Sequence, residues 1–264
     1  MAYEGRTALV TGASAGLGAE YARQLAGLGA DLVLTARRED RLAALAEELR
    51  AGGGTVQVVP ADLSRPAAPA ALMAAAEAPI DILVNNAGFG LPGTYDAATW
   101  DQQRDFIQLM ATACAELAHR ALPGMYERGW GRVVNVASLA GIVPGSAGHT
   151  LYGATKAFLI SFSQSLAAEG AGRGVRAQAC CPGFTYTEFH DVNGTRGEAE
   201  TMPKWLWMQA DEVVGGSLRA LEDGPAVYVP GRVNKSLARL ARVLGPTAAA
   251  RLMDERSRKF RRTE

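Results

Sequence analysis

This sequence has few cysteines, no net charge and no long apolar run. Only 3 of 264 residues are cysteine, too few for a disulfide framework, and the adjacent Cys180 and Cys181 point to opposite faces of a predicted strand. The 27 basic residues balance the 27 acidic ones, so the whole molecule has no electrostatic attraction for nucleic acid. No stretch approaches the roughly 18 apolar residues of a membrane span. A strand-like run at Thr7 leaves no room for a leader, so we expect a cytoplasmic protein.

Short β-branched or aliphatic runs alternate with longer helical stretches through the first 230 residues. Such alternation predicts an α/β fold with a parallel sheet that helices cover on both faces. The predicted strands are residues 7–11, 31–35, 55–60, 80–85, 132–137, 175–181 and 226–230. The predicted helices are residues 17–28, 38–51, 66–76, 99–126, 152–171 and 211–222.

Two segments fall outside this alternation. We expect one domain over residues 1–233, with a substrate lid at about 185–210 where the sequence is irregular. Residues 234–264 form a basic helical extension with nine Lys or Arg against three acidic residues. Its apolar positions follow helical spacing, which favours packing on the body or on a neighbouring subunit and leaves contact with an anionic membrane surface as the alternative. These positions are Leu237, Leu240, Ala241 and Leu244.

A glycine-rich turn, residues 11–18, follows the first predicted strand. Glycine is needed there because one position takes a positive φ, a second admits a pyrophosphate to bare backbone, and a third lets the helix approach the sheet. The spacing is G-x-x-x-G-x-G, with Gly12, Gly16 and Gly18. An ordinary tight turn can carry such a triplet, but the position after the first strand favours a dinucleotide site.

Two arginines stand where a dinucleotide site discriminates between NAD and NADP. An NAD site places Asp or Glu about 20 residues beyond the glycines, whereas this chain has Arg37 and Arg38 there. Guanidinium groups bond a 2′-phosphate, so the pair favours NADP(H). We expect Arg37 to be the main contact because it lies nearer the strand end. Alternatively, the pair only balances Glu39 and Asp40 at a solvated helix start.

Two further strand ends face the same predicted crevice. Asp62 and Leu63 follow the third strand, where a carboxylate and a backbone amide can receive an adenine edge. Asn86, Ala87 and Gly88 follow the fourth strand, and their small side chains let a nucleoside lie flat. The second segment is equally compatible with a simple turn.

The candidate catalytic residues are Ser138, Tyr152 and Lys156. Tyr152 and Lys156 stand at i and i+4 of a predicted helix, which places them on one face. An ammonium close to a phenol stabilises the phenolate and lowers the pKa of the tyrosine, so the phenol can exchange a proton near neutral pH. Ser138 ends the fifth predicted strand and offers a hydroxyl to a carbonyl oxygen. A Tyr and Lys one turn apart are more often a surface pair, so only the combination with the glycine turn and Ser138 favours catalysis.

Together, these motifs resemble those of the short-chain dehydrogenase/reductase family, in its order and at its usual separations, over about residues 5–232. The resemblance implies a Rossmann-like, doubly wound, seven-stranded parallel sheet and a carbonyl/alcohol oxidoreductase of the NADP-preferring subgroup. It also implies that Tyr152 is the general acid or base, that Lys156 also bonds the nicotinamide ribose and that Ser138 orients the substrate oxygen. No metal is expected. The expected cofactor contacts are Gly12, Ser14, Gly16, Leu17, Gly18, Arg37, Arg38, Asp62, Leu63, Asn86, Ala87, Gly88, Tyr152, Lys156, Pro182, Gly183, Phe184, Thr185 and Thr187.

One position departs from the family pattern. Met110 stands where relatives usually have an Asn that supports a water linking the lysine to solvent. A thioether lacks the donor of an amide, so we expect a slowed reaction or a relay rebuilt from other groups. The rival hypothesis is a non-catalytic NADP(H)-binding regulatory or scaffold protein.

Aromatic residues predict an apolar substrate pocket, and family resemblance implies a homodimer or homotetramer formed through helices 99–126 and 152–171. Phe89 and Leu91 leave the fourth strand and are candidates for the other pocket wall, whereas His149 precedes Tyr152 and is more simply a solvated loop residue. The lid aromatics either line the pocket or only anchor the lid to the body. They include Phe184, Tyr186, Phe189, Trp205 and Trp207, with Met208 beside them.

Overall fold

The chain forms a seven-stranded sheet of order β3-β2-β1-β4-β5-β6-β7 in which all neighbouring strands are parallel. The structure is a computed structural model and describes residues 2–91, 93–145, 148, 150–188, 202–241 and 243–244. The strands are β1 Thr7–Thr11, β2 Asp31–Thr35, β3 Val56–Val58, β4 Ile82–Asn85, β5 Gly131–Val136, β6 Val175–Cys180 and β7 Val227–Tyr228. The predicted α/β fold with a Rossmann-like parallel sheet is confirmed.

Helices cover both faces of the sheet, as a parallel sheet with two apolar faces requires. The helices are α1 Gly16–Gly27, α2 Glu39–Ala51, α3 Ala68–Ala75, α4 Trp100–Ile107, α5 Ala113–Glu127, α6 Thr150–Gly170 and α7 Ala210–Asp223. One core cluster joins the sheet to α1, α2 and α7 through residues such as Tyr21, Leu42 and Val213. The second joins it to α3, α5 and α6.

The prediction of one uninterrupted helix over residues 99–126 is wrong. α4 begins after a Thr99 capping box, and the chain then passes through a π-helical segment, Gln108–Thr112, before α5. A π-helical turn carries an additional residue and is frequent at functional sites. Met110 lies inside this segment and is 1% exposed.

β1 and β4 are neighbours although β2 and β3 separate them in sequence. The chain therefore turns to opposite sides from these two strands, which opens a crevice at their carboxyl ends, the usual ligand position in such sheets. The glycine turn follows β1, and residues 86–88 follow β4. The fold thus brings two of the predicted site segments together.

The basic extension begins as a helix over residues 232–241. Asn234 and Ala238 are buried against the body, but Leu240 and Leu244 are 46% and 39% exposed. The expected apolar stripe therefore does not pack on the body as a whole. Residues 245–264 lie outside the described residues.

Candidate active site

The glycine turn requires glycine at each of its three motif positions. Gly12 and Gly16 have φ of +67° and +56°, a region that side chains with a Cβ rarely adopt. A Cβ at Gly12 would also lie 2.8 Å from Ala87 Cα, and one at Gly18 would overlap the Gly12 carbonyl oxygen and lie 2.5 Å from Asn86 Nδ2. The turn is therefore pressed against the segment that follows β4.

Thr11 and Asn86 hold these two segments together. The Thr11 hydroxyl donates to the Val84 carbonyl at 3.1 Å and accepts from the backbone amides of Asn86 and Ala87 at 2.9 and 3.0 Å. Asn86 Nδ2 in turn donates to the Thr11 carbonyl at 2.9 Å. Thr11 was not among the predicted site residues, although it heads the glycine motif. Its role is to fix the cradle rather than to line it.

The two arginines after β2 point to different surroundings. Arg38 donates to Ser14 Oγ from Nε at 3.3 Å and from Nη2 at 3.2 Å, so its guanidinium lies over the glycine turn. Arg37 is exposed, and its charge acts on Asp62. The geometry thus brings Arg38, rather than the expected Arg37, to the turn.

The third strand end is held in a local turn. Asp62 Oδ1 accepts from Ser64 N at 3.1 Å and from Ser64 Oγ at 2.7 Å. Burial raises the pKa of Asp62, but the Ser64 hydrogen bonds and nearby arginines outweigh it and leave that pKa below its usual value. Leu63 is 5% exposed and packs in the core, so only its backbone faces the crevice edge.

The structure brings Ser138 and Tyr152 together. Ser138 follows β5 with Ala137 between them, and its Oγ accepts from Ala140 N at 3.1 Å. The side chains of Ser138 and Tyr152 are hydrogen-bonded. Burial raises the pKa of Tyr152, and the Ser138 hydrogen bond opposes that rise without cancelling it. The phenol is consequently neutral at pH 7.

Lys156 lies on the same helix face as Tyr152 but does not lower its pKa in this structure, contrary to expectation. The ammonium Nζ is 5.6 Å from the Tyr152 ring centroid and donates to the Val136 carbonyl at 2.6 Å. Lys156 is 6% exposed, and burial lowers its pKa to about 8. The ammonium thus donates its hydrogen bond to a backbone carbonyl while it lies over the face of the Tyr152 ring.

Met110 lies in the π-helical segment and Cys114 at the start of α5, and both side chains are buried. A Cβ at Gly88 would lie 2.7 Å from Met110 Sδ, so the thioether presses on the turn after β4. Cys114 Sγ donates weakly to the Leu109 carbonyl at 3.7 Å. Burial raises the pKa of Cys114 to about 11, although the charge of Lys156 opposes this, so the thiol stays neutral.

A buried chain of hydrogen bonds beneath the site was missed in the sequence. Asn85 Nδ2 donates to Asn135 Oδ1 at 2.9 Å, and Asn135 Nδ2 donates to Ser163 Oγ at 2.8 Å. The chain ties β4, β5 and α6 together. The sequence could have indicated this chain, because it places two asparagines at the same level of adjacent buried strands and buried amides need hydrogen-bond partners.

A small open cavity of about 20 Å³ lies beside Tyr152. Leu91, as predicted, is among its lining residues, together with Tyr95, Phe106 and Leu151. Phe89 packs edge-on against Phe106 with ring centroids 5.4 Å apart. The cavity lining also includes Thr94, Gln103 and Thr150, so the surroundings of the phenol combine apolar and polar side chains.

The described part of the predicted lid crosses the glycine turn. A Cβ at Gly16 would lie 3.2 Å from Thr187 Cβ. Thr185 pairs with Met208, and Trp207 packs against Phe184 and Tyr186 with centroids 5.4 and 4.8 Å apart. These aromatics thus contact one another, which favours the anchoring role. Phe189 and His149 lie outside the described residues.

Pro182 and Gly183 continue β6 into this segment. The Pro182 carbonyl accepts from Leu139 N at 2.9 Å, which ties the segment to the Ser138 turn. A Cβ at Gly183 would lie 2.6 Å from Asn234 Oδ1. Asn234, another residue missed in the sequence, therefore connects the C-terminal helix to the site.

A family profile described as short chain dehydrogenase matches residues 6–196. The match includes the glycine turn, the residues after β4 and the group of Ser138, Tyr152 and Lys156. The chain belongs to the short-chain dehydrogenase family. It is accordingly an oxidoreductase of that family, with a nucleotide cofactor.

Individual relatives of this short-chain dehydrogenase differ in cofactor. A short-chain dehydrogenase from Sphingobium yanoikuyae in complex with NADPH is 37% identical and has a TM-score of 0.79, covering 90% of this chain and 94% of that one. A Burkholderia phymatum member in complex with NAD is 25% identical with a TM-score of 0.82, covering 94% and 98%. The ketoacyl reductase HetN of Nostoc is 38% identical over 183 residues, 68% of this chain and 63% of that protein, so the chain matches less than two thirds of HetN's length.

Neither a membrane span nor a metal centre is found in the part of the chain that the structure describes. None of its helices there is both long and apolar enough to cross a bilayer. Those residues also contain no group of three His, Cys, Asp or Glu side chains placed to hold a metal ion.

Proposed function

We propose that this short-chain dehydrogenase interconverts a hydrophobic ketone or aldehyde and the corresponding alcohol with NADP(H). The hydrogen-bonded pair of Ser138 and Tyr152, beside an open cavity whose lining includes Leu91, Phe106 and Leu151, carries the proposal. Relatives described as a ketoacyl reductase and as an NADPH complex support the same reaction class.

Each of the three catalytic residues has one task in reduction. Ser138 donates a hydrogen bond to the carbonyl oxygen and holds it near Tyr152. Tyr152 transfers its phenolic proton to that oxygen as negative charge develops there, and its raised pKa keeps the proton in place until then. Lys156 provides positive charge next to the phenol and a hydrogen bond to the nicotinamide ribose.

The backbone at the start of α1 suits the pyrophosphate of a dinucleotide. Glycines at 12, 16 and 18 leave bare backbone at the start of α1, whose N-terminus favours a pyrophosphate. A nicotinamide dinucleotide held there would supply or accept the hydride. The other expected contacts lie on the loops after β3, β4 and β6, at the carboxyl edge of the sheet.

Arg38 supports the preference for NADP(H) over NAD. Its guanidinium lies against Ser14 at the glycine turn, and the chain offers no carboxylate at the end of β2 to bind two free ribose hydroxyls. Because family members with NADPH and with NAD both resemble this chain, the preference rests on these residues rather than on the family.

Turnover with a panel of carbonyl compounds tests the proposal. NADPH oxidation is followed with hydrophobic ketones and aldehydes of increasing size, and NADH serves as the parallel cofactor. We expect steady turnover that is faster with NADPH. Tight NADPH binding with no turnover across the panel would instead support the regulatory or scaffold function, for which Met110 is the one favouring observation.

We also propose a cytoplasmic homodimer or homotetramer. All three cysteines are buried and unbridged, which suits a reducing compartment. On α6, Phe158 is 40% exposed and stacks on Phe162 at 5.5 Å, an apolar surface suited to a neighbouring subunit. Light scattering after size-exclusion chromatography tests this, and a Phe158→Glu protein is expected to shift toward monomer.

A further inference from the structure

A carboxylate lies against the arginines of the proposed 2′-phosphate site. Glu188, on the segment after β6, receives Arg41 Nη1 at 2.7 Å on Oε1 and at 2.6 Å on Oε2. Arg38 Nη1 lies 3.4 Å from Glu188 Oε2. Glu188 is separated from both arginines by about 150 residues of sequence, so only the fold brings them together.

The position of this ion pair is tied to the cofactor cradle. The same Arg38 guanidinium donates to Ser14 of the glycine turn, and Thr187, next to Glu188, packs over Gly16. Glu188 thus lies against Arg38, the residue to which the proposed function assigns the 2′-phosphate. The inference that follows rests on that proposed preference for NADP(H).

We propose that Glu188 is a specificity-determining residue that competes with the 2′-phosphate of NADP(H) for Arg38 and Arg41. In the free protein its carboxylate forms an ion pair with each of the two guanidiniums. A cofactor with a 2′-phosphate replaces that carboxylate, whereas a cofactor without one leaves the ion pairs intact. Glu188 therefore weakens the binding of NADP(H). It thereby reduces the preference for NADP(H) over NAD(H) that the two arginines create.

The strengths of the two interactions make such an exchange feasible. The side chains of Glu188, Arg41 and Arg38 are 46%, 44% and 38% exposed, and ion pairs this accessible are weak. A phosphate monoester carries close to two negative charges near pH 7, against one on the carboxylate, and offers three oxygens to planar guanidiniums. The phosphate is thus the stronger partner of the arginines. Because it must displace Glu188, it contributes less binding free energy than it would at unpaired guanidiniums.

Two nucleotide fragments isolate the 2′-phosphate from the rest of the cofactor. Adenosine 2′,5′-bisphosphate and adenosine 5′-monophosphate differ only in that group, and isothermal titration calorimetry measures the affinity of the full chain for each without any turnover. The variant is Glu188→Gln. The matched control is Glu48→Gln. Glu48 is an exposed carboxylate on α2 that forms an ion pair with Arg23 at 2.7 Å.

We expect Glu188→Gln to bind the bisphosphate roughly three- to tenfold more tightly than wild type, with monophosphate affinity changed less than about twofold. Glu48→Gln should change neither. An unchanged or weaker bisphosphate affinity in Glu188→Gln, or an equal gain for both fragments, overturns the proposal.

The affinities of the wild-type protein for the two fragments test the proposed function separately from this inference. If it binds both fragments equally, the NADP(H) preference is contradicted in the native chain. Glu188→Gln then decides the inference alone: a new preference for the bisphosphate supports competition by Glu188, and continued equality overturns it. Thermal melting confirms that each variant is folded.

Discussion

The Lys156 ammonium donates to the Val136 carbonyl at 2.6 Å and lies over the Tyr152 ring, 5.6 Å from its centroid. Burial lowers the pKa of this lysine to about 8. Its positive charge is therefore a cost to folding at neutral pH, retained beside the phenol for its chemical use.

Replacement of Lys156 by Met tests this cost through the pH dependence of stability. A depressed lysine pKa means that the unfolded chain binds the proton more tightly, so the wild-type protein gains stability as pH rises from about 8 toward the ordinary lysine value. Lys156→Met lacks this gain. Between pH 7 and 9.5 the wild type should gain about 2 kcal/mol relative to the variant in urea unfolding. Parallel pH profiles would show that the ammonium is not strained by burial.

We expect Met110 to limit the reaction rate, because its thioether cannot support the water through which an amide would link Lys156 to solvent. Met110→Asn should raise kcat severalfold, because the amide can hold a water near Lys156, and should lower stability by about 1–3 kcal/mol because it adds a polar group at a buried position. Met110→Leu is the matched control, with similar volume and no amide. If the Asn protein turns over no faster than the Leu protein, the thioether does not limit the rate.

The glycine turn predicts opposite outcomes for two glycines of α1. Gly18→Ala drives a methyl group into the Gly12 carbonyl and the Asn86 amide, so it should lower stability by about 1–3 kcal/mol and weaken NADPH binding. Gly27→Ala meets nothing within 4 Å and should be neutral or stabilising by up to about 1 kcal/mol. Urea unfolding and fluorescence titration with NADPH measure both effects. Equal outcomes for the two variants would mean that the turn tolerates a Cβ.

Arg38 and Arg37 should differ in their effect on cofactor choice. Arg38→Gln removes a charged donor from the glycine turn and should weaken NADPH binding by about ten- to a hundredfold, while NADH affinity stays close to wild type. Arg37→Gln, at an exposed position, should weaken NADPH less than about threefold. The reverse ranking would restore Arg37 as the main contact.

The strands were predicted well where burial is complete. β1 and β2 have the predicted bounds, Thr7–Thr11 and Asp31–Thr35, because an uninterrupted apolar run is the signature of a strand covered on both faces. β3 is shorter than its predicted 55–60. It is an edge strand that pairs on one side only, and Pro60 has no amide proton to extend that pairing.

Other features depend on contacts that no local pattern encodes. The π-helical segment around Met110 does not disturb the apolar spacing, so residues 99–126 suggest one helix. Proximity to the strand end favoured Arg37, but the direction in which each guanidinium points is set by the turn into α2. The encounter of Glu188 with Arg41 spans 147 positions, so it follows from the folded chain alone.

The proton donor assigned to Tyr152 is the central claim, and Tyr152→Phe tests it most directly. NADPH oxidation with the best ketone of the panel is compared for the two proteins, together with NADPH affinity by fluorescence. The variant should lose at least about a thousandfold in kcat, while its Kd for NADPH stays within about twofold of wild type, because only the acidic hydroxyl is removed. A phenylalanine protein that retains turnover, or that loses NADPH binding instead, would contradict the account.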